Sequence, residues 1–110
     1  MTEEPQKPHD PIPSDSVRDD PSFPDLVVDF VNGLDERLRR MEEAIGRQNL
    51  DAVRRAAHQL KGSGGGYGYP ILTERAAELE RFATSGSLDQ CAETLAELRR
   101  ICQRIVVSTD

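Results

Sequence analysis

The stretch of residues 50–68, LDAVRRAAHQLKGSGGGYG, decides the fold, because a helical apolar pattern runs directly into a run of glycines. Apolar residues recur there at the spacing of one helix face, at Leu50, Val53, Ala57, Leu60 and Tyr67. Asn49 can cap the start of this helix, and Gly68 and Pro70 mark the break after it. The stretch therefore predicts an amphipathic helix. Because glycine is a poor helix former, the pattern does not decide whether this helix continues through Gly64 to Gly66.

A first helix is predicted on the N-terminal side of this stretch. It should begin near Ser22, because Pro24 suits a first helical turn and Asp25 suits the positive end of a helix. Its apolar stripe comprises Leu26, Val27, Phe30, Val31, Leu34, Leu38, Met41 and Ile45. The pattern predicts one continuous helix that ends near Gly46 and Arg47.

Two more helices are predicted on the C-terminal side. The third begins around Pro70 and stops at Gly86, and its stripe comprises Leu72, Ala76, Leu79, Phe82 and Ala83. Ser87 and Gln90 have the spacing of a capping box for the fourth helix. The stripe of that helix comprises Leu88, Cys91, Leu95, Leu98, Cys102, Ile105 and Val106.

Four amphipathic helices joined by short loops must bury their stripes against one another. Short loops make helices that are neighbours in sequence antiparallel, so we expect an all-α, up-down four-helix bundle over residues 23–108. No segment alternates with period two between turn signals, so no sheet is expected. The stripes can satisfy one another within one chain, which favours a monomer.

The first 22 residues have a different composition. They contain five prolines and only isolated apolar residues, which predicts a disordered tail. Residues 1–25 hold seven acidic and two basic residues, a net charge of −5, and residues 26–110 hold thirteen and twelve, a net charge of −1. A nucleic-acid surface needs an excess of Lys and Arg, so binding to nucleic acid is not expected.

The two cysteines, Cys91 and Cys102, fall in one predicted helix, roughly 16 Å apart along its axis. A disulfide cannot span that distance, so two free thiols and a reducing compartment are expected. The sequence has no 18-residue apolar run, and its acidic, Pro-rich start is unlike a signal peptide. These features favour a cytoplasmic, free-standing chain, although a fragment of a larger hybrid kinase is the alternative.

His58 is the residue that points to chemistry. At about 100° per residue it lies roughly 160° from Leu60 and 140° from Val53, so it faces away from the apolar stripe. A neutral imidazole is a nucleophile, and cations near it would stabilise a phosphoryl group attached to it. The residues that share this outer face are Arg54, Arg55, Lys61, Gly62 and Gly65.

The glycines after His58 need a reason, because each costs about 1 kcal/mol relative to Ala inside a helix. They could leave space for a partner beside the histidine, allow close packing against a neighbouring helix, or form a loop. We favour space for a partner at Gly62. For Gly64, Gly65 and Gly66 the sequence leaves the three readings open.

This segment resembles the signature of histidine-containing phosphotransfer (Hpt) domains. The family pattern is roughly His-x-Leu-Lys-Gly-Ser-small-x-x-apolar-Gly. It is matched in register by His58, Leu60, Lys61, Gly62, Ser63, Gly64, Tyr67 and Gly68, with Ala57 before the histidine. The resemblance covers about residues 24–107, and its one departure is the run of glycines at 64–66, where the family has better helix formers.

The resemblance implies that His58 takes a phosphoryl group from the aspartyl phosphate of a receiver domain and passes it to another receiver aspartate. Lys61 would help to hold the phosphoryl group, and Gly62 would leave room for the partner. Gln59 occupies a variable position beside the site. The receiver, a response-regulator or hybrid-kinase domain, would supply the acidic pocket and Mg²⁺. The chain would bind no cofactor and have no kinase activity of its own.

Other interpretations of these residues are weaker. In a Walker loop the Lys follows the glycines, whereas Lys61 precedes them, and no strand comes before them as a dinucleotide fingerprint requires. A metal site is not expected, because neither His9 nor His58 has another ligand at a suitable spacing. Arg54 and Arg55 could contact a partner or form a solvated face. The alternative function is a receiver-binding module that transfers no phosphoryl group.

Overall fold

The structure, a computed structural model, describes residues 11–14 and 23–106. The described residues form five helical segments, α1 (Phe23–Asn32), α2 (Leu34–Gly46), α3 (Leu50–Gly66), α4 (Pro70–Ser85) and α5 (Leu88–Arg104), and two short strands, β1 (Ile12–Pro13) and β2 (Ile105–Val106). Helices α2 to α5 form the antiparallel four-helix bundle, with α1 leading into it. The all-α bundle expected from the sequence is confirmed.

The bundle is held together by the predicted stripes. Each of the helices α2 to α5 contributes to the largest fully buried side chains of the described residues, and Tyr69 contributes from the connection between α3 and α4. These side chains are Tyr69, Leu38, Met41, Leu60, Leu72, Leu79, Leu98, Val53 and Cys91. Helix α3 makes its most extensive contact with α4, while α2 and α5 close the other side. The core is therefore mostly aliphatic, as the low aromatic content indicates, with Tyr69 and Phe30 as its buried aromatic side chains.

The single first helix expected from the sequence is wrong, because the helix is divided at Gly33. The N–H of Gly33 donates to the carbonyls of both Asp29 and Phe30 at 3.1 Å, and α2 begins at Leu34. Glycine is a poor helix former, so breaking the helix at Gly33 costs less helix stability than breaking it at a neighbouring residue. Phe30 and Leu34 are both buried, which explains why the apolar stripe crosses the break without a change of pattern.

The helix ends agree with the sequence at three positions and disagree at one. Asn49 caps α3 by accepting a hydrogen bond from the N–H of Ala52 at 3.2 Å, and Pro70 occupies the first turn of α4. Gly86 ends α4 with a left-handed backbone (φ 81°) that glycine adopts without strain. The capping box at Ser87 is wrong, because the Ser87 side chain makes no capping hydrogen bond to α5.

The expected absence of a sheet and the disordered tail over 1–22 are wrong at residues 11–14. Strand β1 pairs in parallel with β2, with Ile12 opposite Ile105 and Pro13 opposite Val106. Ile12 is buried, and Ser14 Oγ donates to the carbonyl of Tyr67 at 2.7 Å. Two-residue strands are too short to produce an alternating pattern, so no signal for them is present in the sequence. The rest of the predicted tail, 1–10 and 15–22, lies outside the described residues.

Helices α2 and α5 are also joined by charge. Arg99 donates to both carboxylate oxygens of Glu42, at 2.7 and 2.8 Å, and to Asp35 at 2.9 Å. Arg99 therefore forms an interhelical bridge from α5 to α2. Cys91 and Cys102 are free thiols, as expected. Within residues 11–14 and 23–106, no helix is long and apolar enough to cross a membrane.

Candidate functional site

His58 lies in the middle of α3 on the side that faces solvent and borders α4. Its side chain is 65% exposed, whereas the flanking residues Ala57 and Leu60 are fully buried. The helical pattern therefore predicted the direction of His58 correctly. An imidazole in this position can be reached by the active site of another protein.

Glu80 of α4 is the functional residue that the sequence did not reveal. Its Oε2 lies 2.8 Å from His58 Nδ1, and its Oε1 accepts a hydrogen bond from Lys61 Nζ at 2.6 Å. One carboxylate thus joins the two α3 residues that the sequence predicts to carry the chemistry. The available signal was weak: Glu80 follows Leu79 at the border of the α4 stripe, but only the packing of α4 on α3 shows which α3 residues it meets.

The charge of Glu80 fixes the direction of its hydrogen bond with His58. The hydrogen bond from Lys61, and then the one from His58, lowers the pKa of the Glu80 carboxyl below its ordinary value of 4.5, so it is ionised at neutral pH. An ionised carboxylate can only accept hydrogen bonds. His58 Nδ1 must therefore carry the proton, which assigns the neutral ring the tautomer with an unprotonated Nε2.

Lys61 lies one turn after His58, and its ammonium is held beside the imidazole by the same carboxylate. Its side chain is 35% exposed and that of Glu80 is 19% exposed. The ammonium is therefore accessible to an anion arriving from solvent. Lys61, expected to help hold a phosphoryl group, thus contacts the same carboxylate as His58.

The glycines after His58 differ in their surroundings. A Cβ atom on Gly62 would meet nothing within 4 Å, which agrees with space left for a partner. At Gly64 it would lie 2.8 Å from Leu72 Cβ and 3.1 Å from Thr73 N, so this glycine permits close packing of α3 on α4. Gly65 is exposed but bonded to Thr73 of α4, and Gly66 is open. All of them are helical, which answers the question that the sequence left open.

The other residues predicted to contact a partner are spread along α3. Arg54 and Arg55 both pair with Asp51 of their own helix, and neither is recorded in contact with His58 or Glu80. Gln59 is exposed and points to the opposite flank, where it borders an open groove between α2 and α3. The groove is lined by Gly33, Glu36, Arg37, Arg40, Ala56 and Gln59. The structure therefore brings together only His58 and Lys61 from the expected set, with Gly62 beside them.

The site contains the elements of an acid–base and anion-binding centre. Among the residues that the structure describes, no group of three or more His, Cys, Asp or Glu side chains is placed to hold a metal ion. A nucleophilic nitrogen, a cation and a carboxylate are instead arranged across the contact of two helices. That set suits reversible attachment of an anionic group to Nε2.

Comparison with known proteins agrees with this arrangement. Residues 25–107 match the family model described as Hpt domain, so the match spans the whole bundle and includes every residue of the site. Neither the search of curated proteins nor the search of solved structures found a match. The chain belongs to the Hpt domain family, whose members are phosphocarrier modules of two-component phosphorelays.

Proposed function

We propose that His58 accepts a phosphoryl group from the aspartyl phosphate of a receiver domain on its Nε2 atom, and passes it to the aspartate of a second receiver. The observation that carries this proposal is the contact of His58 Nδ1 with the ionised carboxylate of Glu80. That contact directs the lone pair of the ring to Nε2, on an imidazole that is largely exposed to solvent.

The Nε2 lone pair attacks phosphorus, a nitrogen–phosphorus bond forms, and the bond between phosphorus and the receiver carboxylate oxygen breaks. The receiver recovers a free carboxylate, and the ring becomes a phospho-imidazolium that keeps its Nδ1 proton. Glu80 accepts that proton in a hydrogen bond throughout, so its negative charge stabilises the positive charge that develops on the ring.

Lys61 supplies the complementary charge. Its ammonium lies 2.6 Å from Glu80 Oε1 and 35% of its side chain is exposed, so it can turn toward a phosphoryl group on Nε2 without crossing the core. Its pairing with Glu80 keeps the flexible side chain close to the ring before the phosphoryl group arrives. Lys61 is therefore proposed to stabilise the phosphoryl group during and after transfer.

The surface around His58 suits docking by a receiver domain, the kind of partner with which Hpt domains interact. Gly62 has open space around it one turn after the histidine, so the backbone of α3 can be approached closely. Arg54, Arg55 and Gln59 are proposed as flanking contacts, with Gly65 at the edge toward α4. The receiver would bring the acidic pocket and Mg²⁺, and this chain would act as carrier without a kinase activity of its own.

The test is a phosphotransfer assay with purified receivers that carry a labelled aspartyl phosphate. The wild-type chain should acquire an acid-labile, base-stable label, and His58→Gln should acquire none. The chain has two histidines, so His9→Gln is the matched control and should be labelled like the wild type. Equal labelling of the wild type and His58→Gln would disprove the assignment of the phosphoacceptor.

The alternative function, a receiver-binding module without transfer, predicts a different pattern. A receiver would then bind the wild type and His58→Gln with equal affinity, as measured by calorimetry, and neither protein would be labelled. Because the wild-type labelling and the binding are measured separately, the two functions are distinguished in a single set of experiments.

A further inference from the structure

We infer that Thr73 is a positioning residue for this chemistry: its hydroxyl fixes the register of α4 against α3 and thereby holds Glu80 opposite His58. The inference rests on the proposed function of His58, and it adds a residue that lies outside the recognised motif and makes no recorded contact with the ring.

The Thr73 hydroxyl is joined to the backbone of α3 in both directions. It donates to the carbonyl of Lys61 at 2.8 Å and accepts from the N–H of Gly65 at 2.8 Å. Lys61 and Gly65 are four residues apart, so these are the two backbone groups that pair with each other in a regular α-helix. A side chain of α4 is therefore inserted at one rung of the α3 hydrogen-bond ladder, one turn beyond the site.

The position of this rung determines where Glu80 lies. His58 and Gly65 are seven residues apart on α3, and Thr73 and Glu80 are seven residues apart on α4. Seven residues are close to two turns, so each pair lies on one side of its helix. Because the helices are antiparallel, Gly65 opposite Thr73 places His58 opposite Glu80, and both contacts are observed at 2.8 Å.

The glycines make this hydroxyl contact possible. Gly64 is buried against α4, where a Cβ atom would lie 3.1 Å from Thr73 N and 3.2 Å from its hydroxyl oxygen. A Cβ atom on Gly65 would lie 3.3 Å from the same oxygen. This close approach lets the Thr73 hydroxyl reach the α3 backbone. Apolar packing alone has no preferred direction and would tolerate small shifts of one helix along the other. The directional bonds of Thr73 remove that freedom.

The first test uses Thr73→Val, which keeps the shape of the side chain and removes the hydroxyl. In the wild-type protein, the ¹⁵N resonances of the neutral His58 ring should report a proton on Nδ1 and none on Nε2. In Thr73→Val we expect a mixture of the two tautomers, because Glu80 is no longer held at hydrogen-bond distance. Thr73→Ser restores the hydroxyl and should restore the wild-type spectrum.

The second test is the rate of phosphoryl transfer in a single turnover, measured as a function of receiver concentration. Thr73→Val should lower the maximal rate by about tenfold to a hundredfold, the loss expected for a misplacement of about 1 Å, and leave the half-saturating receiver concentration unchanged. A purely structural role would not produce this separation. Thr84→Val is the matched control, since Thr84 is an exposed α4 residue whose hydroxyl donates to the carbonyl of Glu80 within its own helix.

The outcomes separate this inference from the proposed function. The NMR test needs no receiver, so a wild-type tautomer in folded Thr73→Val overturns the role of Thr73 whether or not the chain carries a phosphoryl group. If Thr73→Val does not fold, Thr73→Ser decides: a folded serine variant that has lost the Nδ1 proton also overturns it. A wild-type chain that shows the bonded tautomer but takes no label would instead contradict the proposed function.

Discussion

Gly64 of α3 packs so closely on Leu72 of α4 that a Cβ atom on the glycine would lie 2.8 Å from the Cβ of the leucine. In a helix, Gly→Ala normally stabilises by about 1 kcal/mol. Here we expect the reverse, a loss of about 1–3 kcal/mol of unfolding free energy in Gly64→Ala, because the two backbones must separate. Urea denaturation followed by circular dichroism measures this difference.

Gly62 and Gly66 are the matched controls in the same helix, since neither has an atom within 4 Å of an added Cβ. Both alanine variants should gain up to about 1 kcal/mol of unfolding free energy. Only Gly62→Ala should also slow phosphoryl transfer, because its methyl group enters the surface proposed for the receiver. A stabilised Gly64→Ala would contradict the close packing of α3 on α4.

Glu80→Gln tests the carboxylate between His58 and Lys61. The amide can still accept a hydrogen bond, but it has no charge to stabilise the imidazolium, so we expect transfer to slow by about tenfold, the equivalent of one pKa unit. The hydrogen bonds from Lys61 and His58 lower the pKa of Glu80 below its ordinary value of 4.5. The carboxylate is therefore mostly ionised at pH 4.5 and at every higher pH. The difference between the two proteins should therefore persist through neutral pH.

The control for this experiment is Glu74→Gln, which removes an exposed charge from the same helix. Single-turnover transfer from a phosphorylated receiver measures both variants, and Glu74→Gln should match the wild type. Equal rates for Glu80→Gln and the wild type would show that the carboxylate does not assist the ring.

The sequence predicted those parts of the site that lie on one helix. The 3.6-residue period of the helix predicted that His58 faces solvent and that Lys61 lies one turn further along. Both predictions depend only on local geometry. Glu80 and Thr73 belong to another helix, and their roles depend on the register of two antiparallel helices. Close packing at Gly64 and the hydrogen bonds of Thr73 to the α3 backbone act on that register, and both are properties of the pair of helices and not of either periodic pattern.

The fold shows the same division between local and tertiary signals. The four main helices follow from apolar periodicity, and the caps at Asn49 and Gly86 follow from residue type. The break at Gly33 does not, because the apolar stripe continues across it, and the pairing of Ile12 with Ile105 does not, because these two residues meet only in the folded chain. An apolar stripe that continues across a helix break does not indicate the break, and a strand of two residues is too short to show an alternating pattern.

Arg99 gives a prediction for the pH dependence of stability. Its hydrogen bonds lower the pKa of Glu42 below 4.5 and that of Asp35 below 3.8. A lowered carboxyl pKa contributes stability that is complete above the ordinary pKa and is lost as pH falls through the lowered value. The unfolding free energy of Arg99→Met should therefore be below that of the wild type at neutral pH, and the two should converge as the pH falls through the lowered pKa values of Glu42 and Asp35.

Arg100→Met is the matched control, because Arg100 is exposed and adjacent in α5. Urea denaturation at several pH values compares the three proteins, and Arg100→Met should follow the wild-type curve. If the difference between Arg99→Met and the wild type did not change between neutral and acidic pH, the bridge from α5 to α2 would not be the cause.

The two free thiols should be unreactive in the folded protein. Burial raises the pKa of Cys102 to about 12 and also raises that of Cys91, so little of either thiol is in the reactive thiolate form near neutral pH. Reaction with a chromogenic disulfide reagent should be at least about a hundredfold slower than in urea, where two thiols per chain should react. Rapid labelling of the folded protein would show that one cysteine is accessible and has an ordinary pKa.

The short strand pair fastens the N-terminal segment to the bundle beside the end of α3. Ile12 is 9% exposed in this pairing, so Ile12→Ala should lower the unfolding free energy by about 1–3 kcal/mol, the value of burying a side chain of this size. Val106→Ala in β2 removes an exposed side chain from the same strand pair and should change it little. Urea denaturation of both variants measures the difference, and equal stability of Ile12→Ala and the wild type would mean that the pairing of β1 with β2 contributes nothing to the folded state.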